Sequence, residues 1–172
     1  MEIGFAPAAT IENIHSRFSE LPGDAILKNC TIDKVKCAGN LLLTGCTVKS
    51  VSAKNLFLNH SSFTEAESAQ DMWIVPKPAD QIIISKTTVG GEVTYILPEA
   101  IKSLLYRNGS TKGDELIGAG ITSVTFQDCE IGGNIIFRES ENTSINKAIL
   151  LGKTTFSGKT ENCTLIDQRG LL

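Results

Sequence analysis

The sequence predicts a mainly β protein: one domain folded as a short right-handed parallel β-helix, with an N-terminal helical cap and one inserted α-helix. Two observations carry this. Ala38-Gly39-Asn40-Leu41-Leu42-Leu43-Thr44-Gly45-Cys46-Thr47-Val48 is followed about fifteen residues later by Ala53-Lys54-Asn55-Leu56-Phe57-Leu58-Asn59-His60-Ser61-Ser62-Phe63. A repeat that short is a supersecondary unit unable to bury its own apolar face, so it must stack on copies of itself. Second, a small residue followed by β-branched or aromatic ones recurs along the chain, as strands require.

The N-terminal segment carries Ile11, Ile14, Phe18 and Leu21 at intervals of three, four and three residues. That spacing predicts an amphipathic helix, with Thr10 as N-cap and Pro22-Gly23-Asp24 as its stop. A solenoid exposes strand edges at its ends, and residues 1–24 are assigned to covering one of them.

Residues 25–96 hold the first coils. Cys30-Thr31-Ile32-Asp33-Lys34-Val35 and Cys46-Thr47-Val48-Lys49-Ser50-Val51 are copies of one element, and Ser61-Ser62-Phe63 is a shorter one. Thr87-Thr88-Val89-Gly90-Gly91-Glu92-Val93 and Cys129-Glu130-Ile131-Gly132-Gly133-Asn134-Ile135 match each other closely, and Thr154-Thr155-Phe156 is the last copy. Ahead of these elements stand the apolar runs Leu41–Leu43, Leu56–Leu58, Met72–Ile74, Ile82–Ile84 and Ile149–Leu151. Asn40, Asn55 and Asp71 introduce the first three. Asn and Asp tolerate tight corners, and stacked on successive coils they can hydrogen-bond in a ladder.

The interval between Thr87 and Cys129 is read as an insertion, residues 97–118. Leu97 to Gly109 has Pro98 in a first turn, Gly109 past the end, and Ile101, Leu104 and Leu105 on one face, which predicts a helix over 98–107. Ser110 to Gly118 is polar and reads as a loop. Residues 119–172 supply the last coils and the C-terminal end.

The pattern resembles right-handed parallel β-helices at large. In coil length, over about Ala25 to Ser62, it resembles the bactofilins, bacterial cytoskeletal proteins that polymerise end to end. The irregular coils look more like pectate-lyase-type β-helices. The first resemblance implies a structural, self-associating protein of a bacterium; the second implies carbohydrate binding or polysaccharide cleavage. Neither carries a catalytic residue onto this chain.

Composition narrows the function classes. The net charge of −3 shows no basic excess of the kind nucleic-acid surfaces carry. No run approaches about 18 apolar residues, so no membrane span is expected. The first ten residues hold no Lys or Arg and no long apolar run, which reads as no signal peptide. With an odd count of five cysteines, the expectation is reduced thiols in a cytoplasm, with signal-independent secretion as the other route. Five Asn-x-Ser/Thr triplets, at Asn29, Asn59, Asn108, Asn142 and Asn162, are read as turn and strand residues set side by side.

Candidate chemistry is sparse. His60 beside Ser61 and Ser62 lacks a third group to orient a base. Cys30, Cys37 and Cys46 lack metal-ligand spacing, and Cys30, Cys46 and Cys129 read as small core residues in one inward column. Asp128 and Glu130 are two acids on one strand face, and Lys86, Asp128 and Lys153 align as an ion-pair row. The reading therefore holds no catalytic residue, no cofactor and no metal. The favoured function is a non-enzymatic structural or protein-interaction module, possibly self-associating; the alternative is a carbohydrate-binding or lyase-type β-helix.

Where a partner would sit follows from strand alternation. Within each apolar run the middle residue points opposite to its neighbours. Leu42, Phe57, Trp73, Ile83 and Leu150 would then form an outward apolar stripe. It would be covered by the inserted helix or by a second subunit, or else the whole run would be buried at a flattened corner.

Overall fold

The computed structural model describes residues 9–77, 81–96, 102–117, 121–138, 140–146, 149–150, 152, 154–157 and 163–166. In chain order, the first four coils each contribute two strands: β1 (Ala9–Glu12) and β2 (His15–Leu21), β3 (Ala25–Lys28) and β4 (Thr31–Cys37), β5 (Asn40–Thr44) and β6 (Thr47–Ala53), β7 (Asn55–Asn59) and β8 (Ser62–Ser68). Later coils contribute three. These are β9 (Met72–Val75), β10 (Gln81–Ser85) and β11 (Thr87–Val89); β12 (Val93–Tyr95), β13 (Ser103–Arg107) and β14 (Ser110–Thr111); β15 (Glu115–Ile117), β16 (Ile121–Gln127) and β17 (Glu130–Ile131); β18 (Ile135–Arg138), β19 (Ser140–Asn146) and β20 (Ile149–Leu150). The last are β21 (Thr154–Ser157) and β22 (Cys163–Ile166).

Every pairing is between strands of different coils. The first sheet runs β1-β3-β5-β7-β9-β12-β15-β18-β21, the second β2-β4-β6-β8-β11-β14-β17-β20, and the third β10-β13-β16-β19-β22. All are parallel, for instance Ala25 opposite Leu41 and Leu41 opposite Leu56. The protein is thus a right-handed parallel β-solenoid whose first sheet stacks nine strands.

Stacked columns make the core. Ala25, Leu41, Leu56, Met72 and Val93 share one inward register on the first sheet; Leu27, Leu43, Leu58, Ile74 and Tyr95 share another. All ten are at most 2% exposed. In these columns apolar side chain stacks on apolar side chain from coil to coil, with a register advance of fifteen or sixteen residues in the early turns.

Two kinds of corner turn the chain. Where it leaves the first sheet in the early coils, Asn13, Asn29, Gly45 and His60 adopt positive φ; in the later coils Lys86, Asn108 and Asp128 do so where it leaves the third. The N–H of Asn29 reaches Thr44 O of the next coil at 2.9 Å, and that of Gly45 reaches Asn59 O at 3.0 Å. Asn is among the side chains that tolerate this conformation best, which accounts for Asn29 and Asn108 in their triplets without invoking glycans. At the entrance to the first sheet the expected polar ladder is present. Asn40 N and Nδ2 donate to Asp24 carboxylate oxygens at 2.8 and 3.2 Å, Asn55 Nδ2 to Asn40 Oδ1 at 2.8 Å, and Asp71 N to Asn55 Oδ1 at 3.0 Å. It continues with Glu92 N on Asp71 Oδ1 and Asn134 N on Asp114 Oδ1.

Both predicted helices are corrected where the structure describes them. The segment from Thr10 to Leu21 forms β1 and β2, stacked on β3 and β4 in the register Ile11–Leu27 and Leu21–Cys37. A solenoid strand that passes a corner changes its inward spacing from two residues to three. Leu27, Cys30, Ile32, Val35 and Cys37 are all buried with that rhythm, and Ile11, Ile14, Ser16, Ser19 and Leu21 repeat it. Over a short window the rhythm imitates one face of a helix, and Phe18, which completed that face, is 50% exposed opposite Lys34. In the second case Ser103–Arg107 is strand β13, with Leu104 and Tyr106 buried on alternate positions and Leu105 on the other face. Ile101 and the start of the proposed helix at Pro98 lie outside the described residues. The polar stretch read as a loop holds β14 and β15, so the long interval contains a full coil.

Candidate interaction face

The outward side of the first sheet is apolar down its middle. Ile26, Leu42, Phe57 and Trp73 are direct partners on β3, β5, β7 and β9, and the column continues through Thr94, Leu116 and Ile136. Each is half-buried, as expected for large side chains lying flat against the copies above and below. Phe57 and Trp73 stack with ring centroids 6.3 Å apart and planes at 26°. The polar ladder from Asp24 to Asp71 borders the column on one side. On the other side Lys28, Thr44, Asn59 and Val75 are in register, with Ile96 beyond them 49% exposed.

Of the five residues placed on a single stripe, the structure brings Leu42, Phe57 and Trp73 together and separates the other two. Ile83 lies on the third sheet opposite Leu105 and is 49% exposed. Leu150 lies on the second sheet opposite Ile131. Three-residue apolar runs occur on more than one face of the prism, so the run alone does not identify its sheet. The same ambiguity affects Thr154–Phe156, which pairs with Ile135–Phe137 on the first sheet and is no copy of the Cys46 element.

The remaining candidates take structural places. His60 is the exposed corner residue with φ 48°, while Ser61 Oγ accepts from Cys46 N at 3.0 Å and donates to Asn59 O at 3.1 Å. Cys30 and Cys46 are stacked, with Cys30 N 3.4 Å from Cys46 Sγ. Cys30, Cys37, Cys46 and Cys129 are free and buried; burial raises the thiol pKa of Cys37 and Cys46, and pushes that of Cys129 up to about 12. The Cys163 side chain and Lys153 lie outside the described set. Lys86 and Asp128 occupy like corners but are separated by a whole coil carrying Asn108, which breaks the proposed ion-pair row. Asp128 is a corner residue and Glu130 a strand residue, so they share no strand face. An open groove of about 870 Å³ runs beside the second-to-first-sheet corner of the early coils, lined by Glu20, Lys36, Ser52, Lys54 and Glu67, charges of both signs. Among the described residues no group of three or more His, Cys, Asp or Glu could hold a metal ion, and no helix is long and apolar enough to cross a membrane.

One polar cluster went unseen in the sequence because it sits in the stretch read as a loop. Glu115 is 0% exposed and stands in the inward column between Val93 and Ile135. Thr111 Oγ1 donates to its Oε1, and Tyr106 Oη lies 3.2 Å from Thr111 Oγ1. Tyr95 Oη and Glu115 Oε2 are the buried side-chain oxygens without a hydrogen-bond partner among the described residues. Burial pushes the Glu115 carboxyl up to about 8, against a smaller downward pull from the Thr111 hydroxyl. Burial also raises both tyrosines. The signal for this site is an alignment: Gly91-Glu92-Val93-Thr94-Tyr95, Gly113-Asp114-Glu115-Leu116-Ile117 and Gly133-Asn134-Ile135-Ile136-Phe137 are three copies, with a glutamate where the others have Val and Ile.

The fold and face together define the class as a parallel β-solenoid with one apolar sheet face. No protein-family model matches the chain, and neither the curated proteins nor the solved structures supply a match.

Proposed function

We propose that this protein is a non-enzymatic structural and interaction module, and that two copies associate through the outward face of the first sheet. The observation behind this reading is the in-register column Ile26–Leu42–Phe57–Trp73, continued by Leu116 and Ile136. A row of large apolar side chains on a sheet surface favours a partner that removes it from water. The internal cover expected from a helix over 98–107 is lost as far as the structure describes it: Leu104 is spent inside the solenoid and Leu105 lies on the third sheet.

The test is light scattering on purified protein over a concentration series, with wild type beside Phe57→Lys and Leu42→Lys. The expected result is a wild-type dimer and folded monomeric variants with little change in melting temperature. A wild-type monomer at every concentration overturns the reading. A glycan-array signal lost in Trp73→Ala would replace it with the carbohydrate alternative, for which the Phe57–Trp73 stack is the fitting platform.

A further inference from the structure

The buried cluster around Glu115 differs in kind from the rest of the core. Down its column the chain places Ala25, Leu41, Leu56, Met72 and Val93, then Glu115, then Ile135. A carboxylate there would be a charge without water, in a site built for an aliphatic side chain. The groups facing it come from each neighbouring element: Tyr95 from β12, Tyr106 from β13, Thr111 from β14, and Cys129 from the corner between β16 and β17; Ile135 on β18 brings no titratable group. None of them is a cation. A neutral carboxyl suits these surroundings. It accepts from Thr111 at Oε1, and a proton on Oε2 supplies a donor beside the Tyr95 hydroxyl, the other unpartnered oxygen.

We propose that Glu115 makes coils five to seven an alkali-sensitive segment: their core is held together with Glu115 protonated and loosens when that proton leaves, while the first four coils do not respond. The sign follows from linkage. Folded Glu115 holds its proton up to about pH 8, whereas an unfolded glutamate releases it near about 4.3. Its contribution to stability is therefore complete below about pH 4.3, falls as the pH rises, and is gone above about 8. Cys129 titrates only at about 12, and burial lifts both tyrosines, so between pH 5 and 9 Glu115 alone changes charge within the cluster.

The experiment compares the whole chain with Glu115→Gln, which keeps the polarity and removes the titration, and with Glu115→Met, which restores the side chain Met72 has in the same column. Denaturation is measured at pH 5 to 9. Hydrogen exchange, corrected for the intrinsic rate at each pH, is followed separately in peptides from residues 25–68 and 93–136. Relative to either variant, the wild-type ratio of folded to unfolded protein should fall about tenfold per pH unit up to about pH 8. Protection should be lost in residues 93–136 and kept in 25–68. Wild-type and variant profiles that run parallel overturn the proposal, as does equal loss of protection in both halves. If neither variant folds, the wild-type exchange pattern alone decides between these outcomes.

Discussion

The first four coils and the following three solve the same packing problem with different materials. In the early coils the register advances by fifteen or sixteen residues, and the fully buried inward positions hold Ala, Leu, Val, Ile and Cys, with Ser68 an exception bonded to Lys54 O and Asp71 O. In the later coils the register jumps from Met72 to Val93 and from Val93 to Glu115, a third sheet appears, and the core takes in Tyr95, Tyr106, Phe126 and Glu115. The larger cross-section made by the third sheet has to be filled, and aromatic rings fill it; Tyr106 and Phe126 meet at 5.6 Å with planes tilted by 51°. A tyrosine brings a hydroxyl that needs a partner; Tyr106 has Thr111, which in turn bonds Glu115. The difference teaches that widening a solenoid draws polar groups inside it.

Three substitutions probe that contrast. The largest effect is expected in the regular half. Leu56→Ala empties a fully buried site between Leu41 and Met72, and should cost about 2–5 kcal/mol in chemical denaturation. A loss below about 1 kcal/mol would mean that the early columns are loosely packed and the contrast is false. In the later half, Thr111→Val keeps the shape and removes the hydroxyl shared by Tyr106 and Glu115, for an expected loss of about 1–2 kcal/mol. Since the Thr111 hydroxyl draws the Glu115 pKa down, the fall in stability should also extend to higher pH in the variant. No shift would show that Thr111 and Glu115 are not coupled. The smallest effect belongs to the surface. Lys49 and Asp33 form an exposed ion pair at 2.7 Å on neighbouring coils, and Lys49→Ala should change the melting free energy by less than about 0.5 kcal/mol. A larger change would make surface charge a third element of the comparison.

The architecture was legible in the sequence because of the early coils. The spacing of Leu41–Leu43 to Leu56–Leu58 is the coil length, and Asn40 and Asn55 mark its corner. Inward and outward positions were legible too: Leu42, Phe57 and Trp73 do share one outward register. Corners were harder to read. Ile11 and Ile14 are three apart because Asn13 turns the chain between them, and pattern alone does not distinguish that from a helical turn. The later coils were hidden by their variable length and by Glu115, whose charge made a core strand look like a loop. The candidate face was found in part, because Ile83 and Leu150 have the same local pattern as Phe57 but belong to other sheets.

Among the described residues, the later coils change length at one vertex alone. From the first sheet to the next strand, two residues suffice between Lys28 and Thr31; five lie between Val75 and Gln81, seven between Tyr95 and Ser103, and three between Ile117 and Ile121. The return to the first sheet stays at three residues in these coils, as between Val89 and Val93 or Thr111 and Glu115. Gly113 shows why that turn is fixed: a Cβ there would lie 2.5 Å from Gly91 O of the coil before. The solenoid thus has an expansion joint on one edge and a rigid hinge line on another. Sequence can be spliced into the joint without shifting the register of any sheet, which makes that edge the place where such a chain acquires new surface while its core is inherited unchanged.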